Sequence, residues 1–154
     1  MITQTTTIEG CKYVHPATFE AAYQVASNLR SDDLRECVEG HGIEPTIDIP
    51  LASLRGTCYY FTMPNGETAG MVGIHDTMIW MLCTPVIELY PMTFAREAKK
   101  FTESRTEPLL WNVVDKRNTV HLKLLKFLGF TFHEELLFGP NNLPFIKFSK
   151  QWSH

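Results

Sequence analysis

The sequence has no long hydrophobic segment and no excess of positive charge. None of its apolar runs approaches the roughly 20 residues that a membrane-spanning helix needs. Its 14 Lys and Arg residues are outnumbered by 17 Asp and Glu residues, which gives a net charge of −3. We therefore expect no membrane association. A large basic face for nucleic acid is disfavoured, although a local contact with DNA stays open.

Closely spaced cysteines are also missing. The four cysteines, at positions 11, 37, 58 and 83, form no C-x-x-C pair and have no histidine at zinc-finger spacing. Three of them have apolar or aromatic neighbours, as buried thiols often do. The sequence thus predicts reduced core thiols, with neither a disulfide framework nor a metal site.

The composition is that of one globular domain. The 154 residues are 44% hydrophobic and 20% charged, which is typical of a chain that buries its own core. We find no internal repeat and no linker-like stretch. We therefore expect a single domain over residues 1–154.

The order of predicted elements favours an α/β (α+β) fold. The segment 57–75 predicts a hairpin around the Pro-Asn-Gly turn at 64–66, because β-branched and aromatic residues flank a strong turn signal. Strands and helices alternate only in the middle of the chain, so a mixed sheet of about six to seven strands flanked by helices is expected, and not a doubly wound fold. The other predicted elements are helices starting at Thr18, Ser31, Pro50, Pro91 and Asn118, and strands at 11–14, 78–84, 109–114, 130–138 and 144–148.

This order resembles the GNAT N-acetyltransferase fold. The segment WNVVDKRNTVHLKLLKFLGF, residues 111–130, is similar to the late GNAT unit in which Asn118 opens a helix and Gly129 with Phe130 closes it. A closer resemblance is to the GNAT-like internal virion protein A family of short-tailed bacteriophages. It is based on residues 79–101 and 109–135 and, less strongly, on 30–45.

The segment that would hold the cofactor departs from the GNAT pattern. In that family the diphosphate of acetyl-CoA binds a glycine-rich turn after the fourth strand, where backbone N–H groups meet a helix start. The corresponding residues 84–91 contain no glycine, two prolines that lack N–H groups, and the negative Glu88. We therefore expect no cofactor. If acetyl-CoA does bind, Thr84 and Asn118 are the candidate binding residues.

The catalytic acid of many GNAT enzymes is a tyrosine, and the resemblance places it at or beside Leu125. His121 lies on the same helix and is a candidate replacement, although a half-buried histidine with a backbone or carboxylate partner is the simpler interpretation. Asp115 is the second catalytic candidate. It forms either part of a ligand site with Arg117 and Asn118 or an ion pair beside an Asn helix cap. Trp80 and Trp111 would flank the GNAT cleft, but core packing explains both.

Two functions from different classes follow from the resemblance. The first is a catalytically degenerate virion or assembly protein of a bacteriophage. Its partners would be other structural proteins, such as the portal or internal core, and it would be located in the virion or the host cytoplasm. An oligomer is possible, but the sequence does not decide the oligomeric state. The alternative is an active acetyl-CoA-dependent N-acetyltransferase acting on a host or phage amine. The departures at 84–91 and at Leu125 favour the first.

Overall fold

The computed structural model describes residues 11–151. These form seven strands and five α-helices, with a π-helical turn after the second helix and a 3₁₀ turn before the fourth. In chain order the elements are β1 (Val14–Pro16), α1 (Phe19–Ala26), α2 (Ser31–Arg35), the π-helical turn (Glu36–His41), α3 (Pro45–Ala52), β2 (Thr57–Thr62), β3 (Thr68–His75), β4 (Met78–Cys83), the 3₁₀ turn (Pro85–Leu89), α4 (Pro91–Glu103), β5 (Leu109–Asp115), α5 (Thr119–Phe127), β6 (Thr131–Phe138) and β7 (Leu143–Gln151).

The strands form one mixed sheet in the order β1-β2-β3-β4-β5-β7-β6. Every neighbouring pair is antiparallel except β4 and β5, which run parallel. Parallel neighbours need a long crossover, and the 13-residue helix α4 supplies it. The mixed sheet flanked by helices that the sequence predicts is confirmed, as is the hairpin of β2 and β3.

Helices cover both faces of this sheet. On one face α4 and α5 bury Phe94, Phe101 and Leu124 against Leu110 and Phe148 of the sheet. On the other face a smaller core joins α1, α3 and β3, with buried residues Ala22, Val25, Ala26, Ile49 and Met71. Both cores reach the central strand β4, which therefore receives packing from the two sides.

Close packing around β4 requires a glycine on the neighbouring strand. Gly73 of β3 pairs with Trp80 of β4, and a Cβ atom at Gly73 would collide with the indole ring. The missing side chain leaves room for the Trp80 ring, which packs against the smaller core.

The amino-terminal elements differ from the sequence prediction. The strand expected at 11–14 lies at Val14–Pro16, and the helix expected from Pro50 begins at Pro45, which suits a first helical position. Ser31 is the first residue of α2 and not its cap, and the helix widens into the π-helical turn that ends at Gly42 in the left-handed conformation (φ 69°). π-Helical turns of this kind are frequent at functional sites.

The predicted end of α5 is confirmed. Gly129 has φ 88°, its N–H donates to the carbonyl of Lys126, and the N–H of Phe130 donates to the carbonyl of Leu125. These two bonds form a Schellman cap, in which a residue with positive φ satisfies the last carbonyls of the helix.

The four cysteines are unpaired, and the predicted burial is found for three of them, while Cys58 is half-buried. Burial raises the pKa of the Cys37 thiol to about 12 and that of Cys58 to about 11, so these thiols are protonated at neutral pH. Among residues 11–151, no helix combines the length and the apolar character that crossing a bilayer requires.

Candidate functional site

The parallel strands β4 and β5 separate soon after they meet. Their register contains one pair, Met78 with Trp111, beside a bond from the Trp111 N–H to the carbonyl of Thr77 at 3.0 Å. At the next residue of β5, the side chain of Asn112 takes the place of the backbone hydrogen bonds between the two strands. Its Nδ2 donates to the carbonyl of Ile79 at 2.7 Å, and its Oδ1 accepts the N–H of Val113 at 2.7 Å. Beyond Asn112 the strands diverge, and we call this point the fork.

A cavity of about 420 Å³ includes the fork and extends from there to Phe61 of β2 and to Phe138 of β6. Its volume falls in the range of small-molecule pockets. Its walls are mostly apolar and come from both sides of the sheet, since they include residues of α3 as well as of α4 and α5. The apolar lining includes Trp80, Met81, Phe101, Trp111, Val113 and Leu125. The polar lining includes Glu36, His41, Asp48, Asn112 and His121. Both tryptophans expected to serve packing therefore also line the cavity.

Two carboxylates from the α2 region bind the backbone of the diverging strands. Asp33 Oδ2 accepts the N–H of Cys83, at the end of β4, at 2.7 Å. Glu36 Oε1 accepts the N–H of Asp115, at the end of β5, at 3.2 Å. Buried backbone donors need hydrogen-bond acceptors. Where β4 and β5 no longer pair, the carboxylates of Asp33 and Glu36 provide them.

Asn118 connects these carboxylates. Its Nδ2 lies 2.8 Å from Asp33 Oδ1 and 3.3 Å from Glu36 Oε1. The sequence places Asn118 correctly before the first turn of α5, but the prediction that its side chain caps the helix is wrong, because the side chain makes no capping bond. The fully buried amide is instead used to join α5 to α2.

Glu36 has the most perturbed carboxyl group at the fork. Burial raises its pKa to about 7, and the charge of Asp33 adds to this, while the hydrogen bond from Asn118 opposes it. A carboxyl group that exchanges its proton near neutral pH is suited to general acid–base chemistry. Sequence reasoning missed this role, because Glu36 lies among several charged residues, and only the fold shows which of them are buried.

Asp115 is held by Arg117. Arg117 Nη2 lies 2.8 Å from Asp115 Oδ2, and Nε lies 3.1 Å from Oδ1. Burial acts to raise the pKa of Asp115, but the hydrogen bonds from Arg117 outweigh it and bring the pKa below its ordinary value. Of the two interpretations left open, the geometry favours the ion pair, since a carboxylate with a low pKa is a poor proton acceptor.

His121 faces the cavity from α5 and is 6% exposed. Burial lowers its pKa, so the ring is neutral at neutral pH. Its Nε2 lies 3.5 Å from Asp33 Oδ1, too far for a good hydrogen bond. A carboxylate neighbour is one of the two partners that the packing interpretation allows, although the side chain is buried and not half-buried as expected. The contact with the cavity is what the catalytic interpretation requires.

The segment after β4 does not fit the diphosphate of acetyl-CoA. The Oγ1 of Thr84 accepts the N–H of Val86 at 3.3 Å and donates to the carbonyl of Thr68 at 3.1 Å, so this hydroxyl is engaged within the chain. The N–H of Tyr90 donates to the carbonyl of Ile87, and prolines 85 and 91 have no N–H. Glu88 adds negative charge, which Arg30 partly balances at 3.3 Å.

Solved structures of other proteins share this fold, although sequence comparisons find no relative. No protein-family model matches the chain, no curated protein matches its sequence, and neither comparison connects it with bacteriophages. Solved structures do match. A GNAT-family acetyltransferase from Streptococcus pneumoniae is 15% identical, with a TM-score of 0.59 over 91% of this chain and 98% of that one.

Two further matches agree. A putative ribosomal-protein-serine acetyltransferase from Vibrio cholerae has a TM-score of 0.64 at 14% identity, over 92% of this chain and 95% of its own. The aminoglycoside acetyltransferase AAC(6')-Ib, solved with coenzyme A, has a TM-score of 0.61 at 14% identity, over 90% and 94%. The chain therefore has the GNAT acetyltransferase fold, which confirms the fold that the resemblance implied.

Proposed function

We propose that this chain transfers an acyl group to an amine at the fork between β4 and β5, with Glu36 accepting the proton that the amine loses. The observation that carries the proposal is the cavity of about 420 Å³ that opens where the strands diverge, bordered by Glu36. The acetyltransferases that share the fold support the same class of reaction.

Glu36 meets the requirements for this role. As an amine nitrogen attacks a carbonyl carbon, it must lose a proton, and a nearby base lowers the barrier to that step. One carboxylate oxygen of Glu36 is fixed by the Asp115 N–H and by Asn118, which together hold the side chain at the edge of the cavity. Burial sets its pKa at about 7, so a substantial fraction is ionised and able to take up a proton at neutral pH.

The acyl donor in this proposal is a thioester bound through its uncharged arm. The apolar walls of the cavity fit such an arm, whereas the residues at 84–91 do not fit a diphosphate. Acetyl-CoA, if it is the donor, would therefore gain little from its phosphates. In the GNAT pattern a tyrosine at or beside the position of Leu125 protonates the leaving thiolate. Leucine cannot, so in this proposal the thiolate leaves as the C–S bond breaks and takes its proton from solvent water.

The test is an acetyl-transfer assay with S-acetylpantetheine and acetyl-CoA as donors and a panel of primary amines as acceptors. We expect measurable transfer whose rate rises with pH through about 7. Glu36→Gln should lower the rate at least about 100-fold, the usual contribution of a general base. Glu39→Gln is the matched control, because Glu39 lies on the same turn and is exposed.

A second candidate function is a non-catalytic role in a bacteriophage virion. Two features of the sequence support a loss of catalysis, the lack of glycine at 84–91 and Leu125 at or beside the position of the acid, while the virion role follows from the resemblance alone. The partners would then be other virion proteins such as the portal or internal core, with DNA contact and an oligomeric state still open. The location would be the virion or the host cytoplasm during assembly. A failure to transfer acetyl from either donor to any amine would favour a non-catalytic role over acyl transfer, and detection of the chain in purified virions would support the virion role.

A further inference from the structure

Three side chains with metal-binding atoms meet beside the fork. Asp33 comes from α2, Cys83 from the end of β4, and His121 from α5. One carboxylate oxygen, the sulfur and a ring nitrogen all lie within 4.8 Å of one another, and all three residues are buried. The sequence hides this cluster, because its members are 50 and 38 positions apart.

His121 gives an independent indication that something binds there. Its Nε2 has no hydrogen-bond partner within residues 11–151, although the side chain is only 7% exposed. A buried polar atom without a partner costs about 1–3 kcal/mol. The nearest charged atom, Asp33 Oδ1, lies 3.5 Å away, so the nitrogen is directed toward the cluster without being satisfied by it.

We propose that Asp33, Cys83 and His121 bind a zinc ion. A thiolate, an imidazole and a carboxylate are the ligand types that Zn²⁺ prefers, and the sulfur disfavours Mg²⁺ and Ca²⁺. Bond lengths of about 2.0–2.3 Å place tetrahedral ligands about 3.5 Å apart, so the cluster closes by roughly 1 Å on binding. Water takes the fourth position. Binding displaces the Cys83 thiol proton to solvent, and the sulfur becomes a thiolate ligand.

Arg30 places a positive charge close to the proposed zinc site, which would repel the ion. Its Nη1 lies 3.0 Å from Asp33 Oδ1, but the same guanidinium also pairs with Asp32 at 3.6 Å and with Glu88 at 3.3 Å. Its positive charge is therefore shared among three carboxylates. Asp33 Oδ2 accepts the Cys83 N–H and, like any carboxylate oxygen, has a second lone pair for a metal.

The zinc ion would join three elements across the point where the sheet opens. It adds metal bonds between α2, β4 and α5, which Asp33 and Asn118 already connect by hydrogen bonds. We therefore assign it a structural role that fixes the shape of the fork, and the site does not depend on the proposed acyl transfer.

The experiment is a titration of chelator-treated full-length protein with Co²⁺ and then Zn²⁺. We expect one equivalent of Co²⁺ to produce a thiolate-to-cobalt absorption band in the near ultraviolet, and Zn²⁺ but not Mg²⁺ to remove it. At a zinc concentration 100 times the dissociation constant, the melting temperature should rise by roughly 5–10 °C. No band and no thermal shift in the parent protein would overturn the proposal.

Variants identify the ligands. Cys83→Ser should abolish the cobalt band. His121→Ala should weaken metal binding by at least roughly 10- to 100-fold, because even residues that only support a ligand contribute that much. Cys58→Ser is the matched control, since Cys58 lies on β2 outside the cluster, and its band should be unchanged. A band that persists in Cys83→Ser, or that disappears in Cys58→Ser, would contradict the assigned site.

Discussion

Replacing Glu36 by glutamine gives a change in stability whose pH dependence follows from the fork. In the folded chain burial raises the pKa of Glu36 from 4.5 to about 7. The folded state therefore holds this proton more tightly than the unfolded state does. Stability from this group is present at low pH and is lost as pH rises from about 4.5 through 7. Glutamine resembles the protonated acid, and its amide oxygen keeps the bonds to the Asp115 N–H and Asn118.

The magnitude comes from the size of the shift. A shift of one pKa unit corresponds to 1.36 kcal/mol, so the shift to about 7 corresponds to about 3 kcal/mol. Glu36→Gln should thus match the parent near pH 4.5 and exceed its unfolding free energy by up to about 3 kcal/mol above pH 8. In a chain of this length that is roughly 6–12 °C in melting temperature.

The comparison must be made between variant and parent at each pH. Burial lowers the pKa of His15, His41 and His121, so the parent loses stability below about pH 6.5 for an unrelated reason. Urea unfolding of both proteins from pH 5 to 9 separates the two effects, and Glu39→Gln is the control on the same turn. A difference between Glu36→Gln and the parent that stays constant with pH would refute the reasoning.

Further predictions concern the positions that shape the fork and the end of α5. Gly129→Ala should cost roughly 1 kcal/mol and lower the melting temperature by a few degrees, because φ is 88° and the added Cβ would lie 3.2 Å from Lys150 Nζ. Asn112→Ala should cost about 2 kcal/mol in urea unfolding, because the Ile79 carbonyl and the Val113 N–H lose their partner. Asp33→Ala should cost about 3–5 kcal/mol in the same assay, because it leaves the buried Arg30 without its nearest carboxylate.

The fold was predictable because its signals are local. The hairpin of β2 and β3 follows from one turn and two β-rich runs, and the end of α5 follows from Gly129 after the last apolar residues of the helix. The first helix begins after its predicted cap, Thr18. The helix expected from Pro50 instead begins at Pro45, and a π-helical turn follows Arg35, where the spacing that a periodic pattern assumes no longer holds.

The contacts within the site were not predicted, because they join residues that are far apart in the sequence. Asn118 has the sequence of a helix cap, yet its partners Asp33 and Glu36 lie 85 and 82 positions away. Asn112 sits within an apolar strand, and only the divergence of β4 and β5 explains its amide. Glu36 and Glu39 have similar neighbours in the sequence, and only burial distinguishes them.

The proposed function requires that the cavity at the fork binds the uncharged arm of an acyl thioester, while residues 84–91 provide no diphosphate site. The most direct test is calorimetric titration of the full-length chain with S-acetylpantetheine and with acetyl-CoA under the same conditions. We predict that both bind, with affinities within about threefold of each other, a difference below roughly 0.7 kcal/mol. Acetyl-CoA binding about 100-fold more tightly would show a working diphosphate site, and binding of neither ligand would contradict the acyl cleft.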